Sequence, residues 1–155
     1  MTTPAKAICA IVAVSTFAVA ADKPNFSGDW RIDSDKSTFG PMPPPASLTR
    51  KVEHNDPSMT VAESRSGPQG DQTITMKYST DGKETTNSFM GADVKCTATW
   101  DGSTLVINSK AEFGGNEIKL TNRWTLSDDG KVLTDAVHVA APQGEVDLTY
   151  VMNKQ

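Results

Sequence analysis

The chain has 155 residues, of which 37% are hydrophobic and 22% charged, and its formal net charge is −4. That length suits one domain. The mildly acidic balance comes without a basic patch or stripe, which argues against nucleic acid and anionic membranes as partners.

The first residues, 1–20, are typical of a cleavable export signal. Lys6 precedes an apolar stretch, 7–17, and Ala18-Val19-Ala20 fits the small-x-small pattern that signal peptidase cuts. A membrane anchor needs roughly 20 apolar residues, and this run is shorter. We therefore predict a signal peptide at 1–20, cleavage after about Ala20, and a protein that is periplasmic or secreted.

Cysteine usage follows from that cleavage. Loss of Lys6 and Cys9 leaves 14 basic and 19 acidic residues, a net charge of −5, and a single cysteine. Cys96 alternates in phase with Val94 and Ala98, so we predict a small buried apolar residue. A reactive thiol would need nearby cations or a helix start to activate it.

After the signal, helical periodicity is almost absent and period-two alternation recurs. Ile74, Met76 and Tyr78, for example, share one face of an extended segment. The alternation predicts ten strands, at 28–33, 47–54, 59–66, 72–79, 84–89, 94–100, 105–112, 118–126, 132–140 and 146–153. The fifth, 84–89, is polar on both faces, and we expect its pairing to be the loosest.

Two sets of turn signals alternate along the chain, as the two ends of a meander require. Asp and Gly mark one set, at 55–57, 80–82, 100–102 and 127–130, and the second set lies at 68–71, 90–93, 114–117 and 142–145. Because a long flat sheet leaves two exposed edges, closure is favoured. We predict an all-β domain over 21–155, a single antiparallel up-and-down β-barrel of about ten strands without long lid helices.

The two ends of this barrel differ in composition. The tryptophans, Trp30, Trp100 and Trp124, fall toward the Asp-Gly end, where large aromatics would form a plug. The connection at 34–46 reaches the other end and contains a proline run, which is extended and semi-rigid. Either it lies over an open mouth as a lid, with Phe39 and Met42 facing inward, or it is a plain surface connector.

A family resemblance enters at Asn25-Phe-Ser-Gly-Asp-Trp30. It resembles the opening Gly-x-Trp signature of lipocalins and related calycin barrels, with Gly28 and Trp30 at the matching positions. The wider pattern, including Phe39-Gly-Pro and the Asp-Gly hairpins, is similar to small exported bacterial lipocalin-like proteins of unassigned function. The resemblance implies that Trp30 closes the barrel floor.

The chain departs from these families at two places. Lipocalins carry a late arginine that packs on the tryptophan; Arg123 is the nearest candidate, but alternation points it away from Trp124. The Arg-x-Tyr carboxylate clamp of fatty-acid-binding proteins is absent, because Leu148-Thr-Tyr150 stands in the last strand. A fatty-acid assignment does not follow.

Alternation also places candidate ligand-binding residues. Arg50 and Arg65 each share a face with apolar residues, and a buried guanidinium needs an acceptor because its desolvation costs several kcal/mol. That acceptor is either an anionic ligand group or an internal partner, Glu63 or Asp135, unless a slipped register leaves both arginines outside. The other predicted wall residues form a mostly apolar set with a few polar groups, which suits a small-molecule pocket or a filled core: Tyr78, Met76, Asn122, Tyr150 and Met152.

The sequence gives little support for metal binding, haem binding or catalysis. His54 and His138 lack the spacing of metal or haem ligands, and we predict surface or rim positions for them. Turn chemistry explains the aspartates of the Asp-Gly end without calcium. Neither Gly-x-Ser-x-Gly nor His-Glu-x-x-His occurs. We predict no catalytic residue, metal or cofactor.

Two functions remain. The first is a non-enzymatic exported barrel that binds a small apolar or weakly anionic molecule. The alternative is a structural or interaction module, an inhibitor or an envelope-assembly partner, with a filled barrel. The polar fifth strand favours the alternative, because a weakly paired strand accepts another chain. We expect no stable membrane insertion and no nucleic-acid partner.

Overall fold

The computed structural model describes residues 22–68 and 70–155. The predicted signal peptide at 1–20, with Lys6 and Cys9, lies outside the described residues. Within those residues, no helix is long and apolar enough to cross a membrane.

Ten β-strands run through the described residues, each at a predicted position and with ends within two residues of the predicted ones. They are β1 (Gly28–Ile32), β2 (Ser47–Asn55), β3 (Ser58–Gly67), β4 (Gly70–Ser79), β5 (Thr85–Phe89), β6 (Ala92–Asp101), β7 (Thr104–Phe113), β8 (Asn116–Leu126), β9 (Val132–Ala141) and β10 (Gly144–Lys154).

The strands form one antiparallel sheet in the order β4-β3-β2-β1-β10-β9-β8-β7-β6-β5. Strands that are neighbours in the sheet are consecutive in the chain, with one exception: β1 pairs with β10, which joins the first strand to the last. The sheet curls into a nearly closed up-and-down barrel, which confirms the predicted fold class. β4 and β5 are its two edges.

Period-two alternation sorts side chains between the interior and the surface. In β2, Leu48, Arg50, Val52 and His54 are buried while the residues between them are mostly exposed. The register of β2 against β3 and β1 brings Arg50 opposite Glu63 and Trp30. The alternation that carries Leu48 and Val52 inward therefore carries a guanidinium with them.

An aromatic plug fills the Asp-Gly end, as predicted from the tryptophans. Its centre is Phe26, a residue ahead of β1 whose ring lies 6.0 Å from that of Trp100 and 5.5 Å from that of Trp124. The Trp30 indole Nε1–H donates to the Phe26 carbonyl at 2.9 Å. These contacts close the barrel floor with stacked and edge-on rings, the geometries that aromatic pairs prefer.

The predicted surface or rim position of His54 is wrong. Its ring stacks 5.9 Å from Phe26, its Nδ1 accepts the Phe26 backbone N–H at 3.2 Å, and its side chain is 2% exposed. Because Phe26 precedes the first strand, strand alternation carried no sign of this contact. His138, by contrast, is on the surface beside Asp147.

Lys154, and not the expected candidate Arg123, lies over Trp30. Its Nζ lies 5.4 Å from the centroid of the Trp30 ring, a distance at which a cation is attracted to the ring face. A Cβ on Gly28 would meet the Lys154 side chain at 2.7 Å, and Gly28 has a φ of +139°. The glycine of the signature thus makes room for this lysine. Arg123 points outward and pairs with Asp101 at 2.8 Å.

Side chains, instead of a backbone ladder, join β4 to β5 in the described residues. The Asn87 carboxamide accepts the Lys77 backbone N–H at 2.7 Å and donates to the Lys77 carbonyl at 2.9 Å. Thr85 Oγ1 donates to the same carbonyl at 2.9 Å. We call this junction of Lys77, Thr85 and Asn87 the seam. The polar residues of the fifth strand, where loose pairing was expected, are the ones that make it.

Candidate ligand-binding site

The mouth of the barrel, opposite the plug, is crossed by residues 34–46, which we call the mouth segment. Thr38 pairs with Thr149 of β10, and the Ala46 backbone N–H donates to the Ser66 carbonyl of β3 at 3.0 Å. Because β1 and β2 lie between β10 and β3 in the sheet, the segment passes over their ends. A Cβ on Gly40 would lie 2.9 Å from Val146, so glycine permits this close approach.

Between the mouth segment and the barrel wall lies a cavity of about 350 Å³, the mouth cavity. The Phe39 and Tyr150 rings, 5.8 Å apart, form part of its lining. Prolines and other apolar groups dominate the rest of the lining, and Arg65 is its charged member; the remaining residues are Met42, Pro43, Pro44, Pro45, Leu48, Ser66, Gly67, Pro68, Gly70 and Gln72. The volume lies near the lower end of that of small-molecule sites.

Arg65 connects the mouth cavity to a buried polar network. Its Nη2 donates to Glu63 Oε1 at 3.1 Å, while its side chain remains 39% exposed. Glu63 Oε2 accepts from Arg50 Nε at 2.7 Å, and Arg50 Nη1 donates to Asp135 Oδ2 at 2.7 Å. Asn122 Nδ2 donates to both oxygens of Asp135, at 3.0 and 3.2 Å. We call these residues, excluding Arg65, the Arg50 network.

The Arg50 network satisfies its own charges. Burial alone would lower the pKa of Arg50, but the carboxylates of Glu63 and Asp135 raise it overall, so the guanidinium stays charged. Burial raises the pKa of Asp135, which Arg50 and Asn122 only partly offset. Every hydrogen bond that Asp135 makes here is accepted from a donor, and a protonated carboxyl would need an acceptor. We infer that Asp135 is ionised.

Aromatic rings enclose the Arg50 guanidinium. Its Cζ lies 5.2 Å from the Trp124 ring centroid and 5.6 Å from that of Tyr150. Trp124 belongs to the plug and Tyr150 to the mouth cavity, so Arg50 occupies the barrel between them. Side chains of the Arg50 network and these two rings occupy this part of the interior.

Comparison with known proteins identifies solved structures that share this fold. No family model and no curated protein matches the sequence. Among solved structures, zebrafish ileal bile acid-binding protein complexed with cholic acid matches with a TM-score of 0.60 at 19% identity, over 84% of this chain and 98% of that one. A secretory abundant heat soluble protein from Ramazzottius varieornatus gives 0.59 at 14% identity, over 83% and 94%. The chain shares the up-and-down β-barrel fold of these two proteins.

The barrel distributes the predicted site residues over three layers. Phe39, Met42, Arg65 and Tyr150 line the mouth cavity. Arg50 and Asn122 belong to the Arg50 network, where Glu63 and Asp135, the internal partners considered from sequence, are both engaged. The remaining three pack in the apolar core: Met76, Tyr78 and Met152.

Sequence reasoning missed part of the lining of the mouth cavity. The prolines of the mouth segment were recognised as a rigid connector, but not as cavity wall. Gln72 and Pro68 come from the β3–β4 hairpin, which packs beside the segment in space. The Ala46–Ser66 hydrogen bond that joins them spans elements whose contact no local pattern indicates.

Tyr150 contributes a hydroxyl donor to the mouth cavity. Burial raises its pKa, and the nearby guanidinium of Arg65 lowers it by less, so the phenol stays protonated at neutral pH. Burial likewise raises the pKa of Tyr78. The cavity therefore presents an O–H and guanidinium N–H groups to a ligand.

A second cavity, of about 300 Å³, lies where β4 and β5 diverge beyond the seam. Residues 72–75 form one side and residues 88–90 the other, and Met90 is 80% exposed. We call it the seam cavity. It combines unpaired strand edges with an exposed apolar side chain.

The aspartates of the turns and Cys96 have the following surroundings in the part of the chain that the structure describes. No three metal-ligating side chains cluster there. Asp81 and Asp129 each accept a serine hydroxyl and a lysine backbone N–H within their own turns, as turn chemistry predicts. Cys96 is free and buried, with Ser109 Oγ at 3.3 Å from its sulfur.

Proposed function

We propose that this protein is an exported, non-enzymatic calycin-type barrel that binds a small, largely apolar molecule, neutral or weakly anionic, in the mouth cavity. The observation that carries the proposal is the cavity itself, with largely apolar walls and a few polar groups that include the donors Arg65 and Tyr150. A few polar groups in an apolar pocket orient a ligand that apolar burial holds. The similar zebrafish structure is of a protein complexed with cholic acid, a small amphipathic molecule.

Fluorescence titration with N-phenyl-1-naphthylamine, a neutral apolar probe, tests this proposal. The protein, purified without detergent, should enhance the emission of the probe and saturate at one probe per chain. Met42→Ser should weaken binding several-fold, because Met42 lines the mouth cavity. Met90→Ser is the matched control, since Met90 is also an exposed methionine but lines the seam cavity.

Three outcomes would contradict binding at the mouth. If the wild-type protein does not enhance the emission of the probe, it has no such site. Loss of binding in Met90→Ser, with Met42→Ser unchanged, would move the site to the seam cavity. Equal effects of both substitutions would indicate general surface adsorption.

Export is a separate part of the proposal, and the N-terminal pattern at 1–20 supports it. Expression of the full chain in a bacterial host, followed by fractionation and N-terminal sequencing, tests it. We expect the protein outside the cytoplasm with its new N-terminus near Ala21. A cytoplasmic protein that retains Met1 would contradict export without touching the ligand proposal.

The exposed strand edges favour a second function, a module that binds another polypeptide. β4 and β5 lack a mutual backbone ladder in the described residues, and strand edges recognise extended chains. Hydrogen exchange of residues 71–76 and 85–89, with and without a host envelope extract, tests this function. Slower exchange in the extract supports it, and unchanged exchange contradicts it.

A further inference from the structure

The polar wall of the mouth cavity is electrically balanced before any ligand arrives. Arg65 is the cation that lines the cavity, and Glu63 already accepts one of its N–H groups at 3.1 Å. Glu63 is held in place from the other side by Arg50 at 2.7 Å, so it does not rotate away freely. An incoming anion would have to share Arg65 with this fixed carboxylate.

The charges behind the cavity do not change this balance. Arg50 is paired with both Glu63 and Asp135. When Arg65 is counted with the Arg50 network, two guanidinium groups are therefore balanced by two carboxylates. A second anion beside Glu63 meets like-charge repulsion, which a largely buried setting screens less than water does.

The donors that remain suit a neutral oxygen. The Arg65 side chain is 39% exposed, the Tyr150 hydroxyl is protonated, and both residues line the cavity, so both can donate to a carbonyl oxygen. Such an acceptor gains charge-assisted hydrogen bonds without bringing a charge into the cavity.

From this arrangement we propose that Glu63 determines ligand specificity: the mouth cavity selects apolar molecules with a neutral carbonyl-type polar group, such as a carboxamide, over those with a carboxylate. This inference rests on the proposed function and names its ligand class. Glu63 acts by occupying Arg65, and substitution of Glu63 should convert the cavity into one that accepts carboxylates.

Decanamide and decanoate form a matched pair for the test, because they share shape and chain length and differ in charge at neutral pH. Each is titrated against bound N-phenyl-1-naphthylamine. Wild-type protein should bind decanamide about tenfold more tightly than decanoate, and Glu63→Gln should reduce that ratio by about tenfold or invert it. The ratio is measured within one folded variant, so a loss of stability affects both competitors alike.

Arg65→Met supplies a second test that leaves the Arg50–Asp135 pair intact. It should weaken both competitors, which lose the Arg65 donor, and it should weaken decanoate more than decanamide, because Glu63 is then left without its Arg65 partner. Equal or tighter binding of decanoate in Arg65→Met contradicts the inference.

The result that overturns the inference is a wild-type cavity that binds decanoate as tightly as decanamide, or a ratio that Glu63→Gln leaves unchanged. If the probe binds but neither competitor displaces it, the ligand class is wrong and the binding function stands. If the probe does not bind, the proposed function itself fails.

Discussion

Arg50 shows how a single buried charge is tolerated in an otherwise apolar barrel. Its guanidinium has two carboxylate partners and lies near two aromatic rings, so little of its charge is left unsatisfied. A buried ion pair of this kind contributes modestly when complete, but removing one member leaves an uncompensated charge. The Arg50 network is therefore most sensitive at its shared member.

Arg50→Met should destabilise the fold by about 3–5 kcal/mol, because Glu63 and Asp135 would stay buried without their common cation. Urea unfolding measures the loss. Arg65→Met is the matched control and should cost less, about 1 kcal/mol or below, since that side chain is 39% exposed. A loss under about 1 kcal/mol for Arg50→Met would show that the network adapts or admits water.

His138 forms a second charge pair, with Asp147 on the surface. Its Nδ1 lies 2.7 Å from Asp147 Oδ1, and that hydrogen bond raises its pKa above the usual 6.5. The pair therefore favours the folded state below pH 6.5 and ceases to do so as the pH rises through the raised pKa. NMR titration of the His138 ring should show a lower pKa in Asp147→Asn.

Glu145→Gln is the control for that titration, because Glu145 lies farther from the ring, at 3.9 Å. It should lower the pKa of His138 by less than Asp147→Asn does. Equal effects of the two substitutions would point to the general acidic surface instead of a specific pair.

At the residue scale, alternation predicted which side chains face inward but not which residues they contact. It allowed an inward position for Arg50 and offered Glu63 or Asp135 as alternatives to an anionic ligand group; the network uses both carboxylates. His54 is in phase with Leu48 and Val52, but alternation could not reveal its contact with Phe26, because Phe26 lies outside every strand. Contacts between a strand and a non-strand residue have no sequence period to reveal them.

At the element scale, turn chemistry and alternation predicted all ten strands. Asp-Gly and related turns mark where each hairpin reverses, so the meander order follows from short connections. Which two strands lack backbone hydrogen bonds to each other depends on how the barrel closes, and the local sequence pattern indicates this poorly. The polar fifth strand was the available signal, and it does mark an edge.

Asn87 is the residue on which the seam depends. Its carboxamide satisfies both backbone groups of Lys77, as a paired strand would. In Asn87→Ala the Lys77 N–H loses its partner, while the Lys77 carbonyl keeps Thr85 Oγ1, so we expect faster hydrogen exchange at the Lys77 amide and faster reaction of Cys96 with a thiol reagent. Cys96 belongs to the same region, with its sulfur 3.5 Å from Asn87 Nδ2.

Asn108→Ala is a suitable control, because Asn108 bonds the Thr121 side chain on the paired strands β7 and β8. It should leave both readouts at the seam unchanged. If Asn87→Ala also leaves them unchanged, the edges are held by packing, and the hydrogen bonds of Asn87 are incidental.

At the scale of the whole molecule, stability and binding occupy opposite ends of the barrel. The plug gathers Phe26 and the tryptophans at one end, the Arg50 network fills the middle, and the mouth cavity lies at the other end. Because the network separates plug from cavity, a change in the plug should alter how firmly the barrel folds without reshaping the mouth.

Phe26→Ala and Phe39→Ala test this division. Phe26 is fully buried, so its truncation should cost about 3–5 kcal/mol of unfolding free energy while the affinity for N-phenyl-1-naphthylamine changes by less than about twofold. Phe39 is half-buried against Tyr150 in the cavity wall, so its truncation should weaken the probe several-fold and cost less than half as much stability. Both are measured well below the unfolding temperature, where each variant is folded. Loss of probe binding in Phe26→Ala under those conditions would mean that the Arg50 network transmits changes in the plug to the mouth.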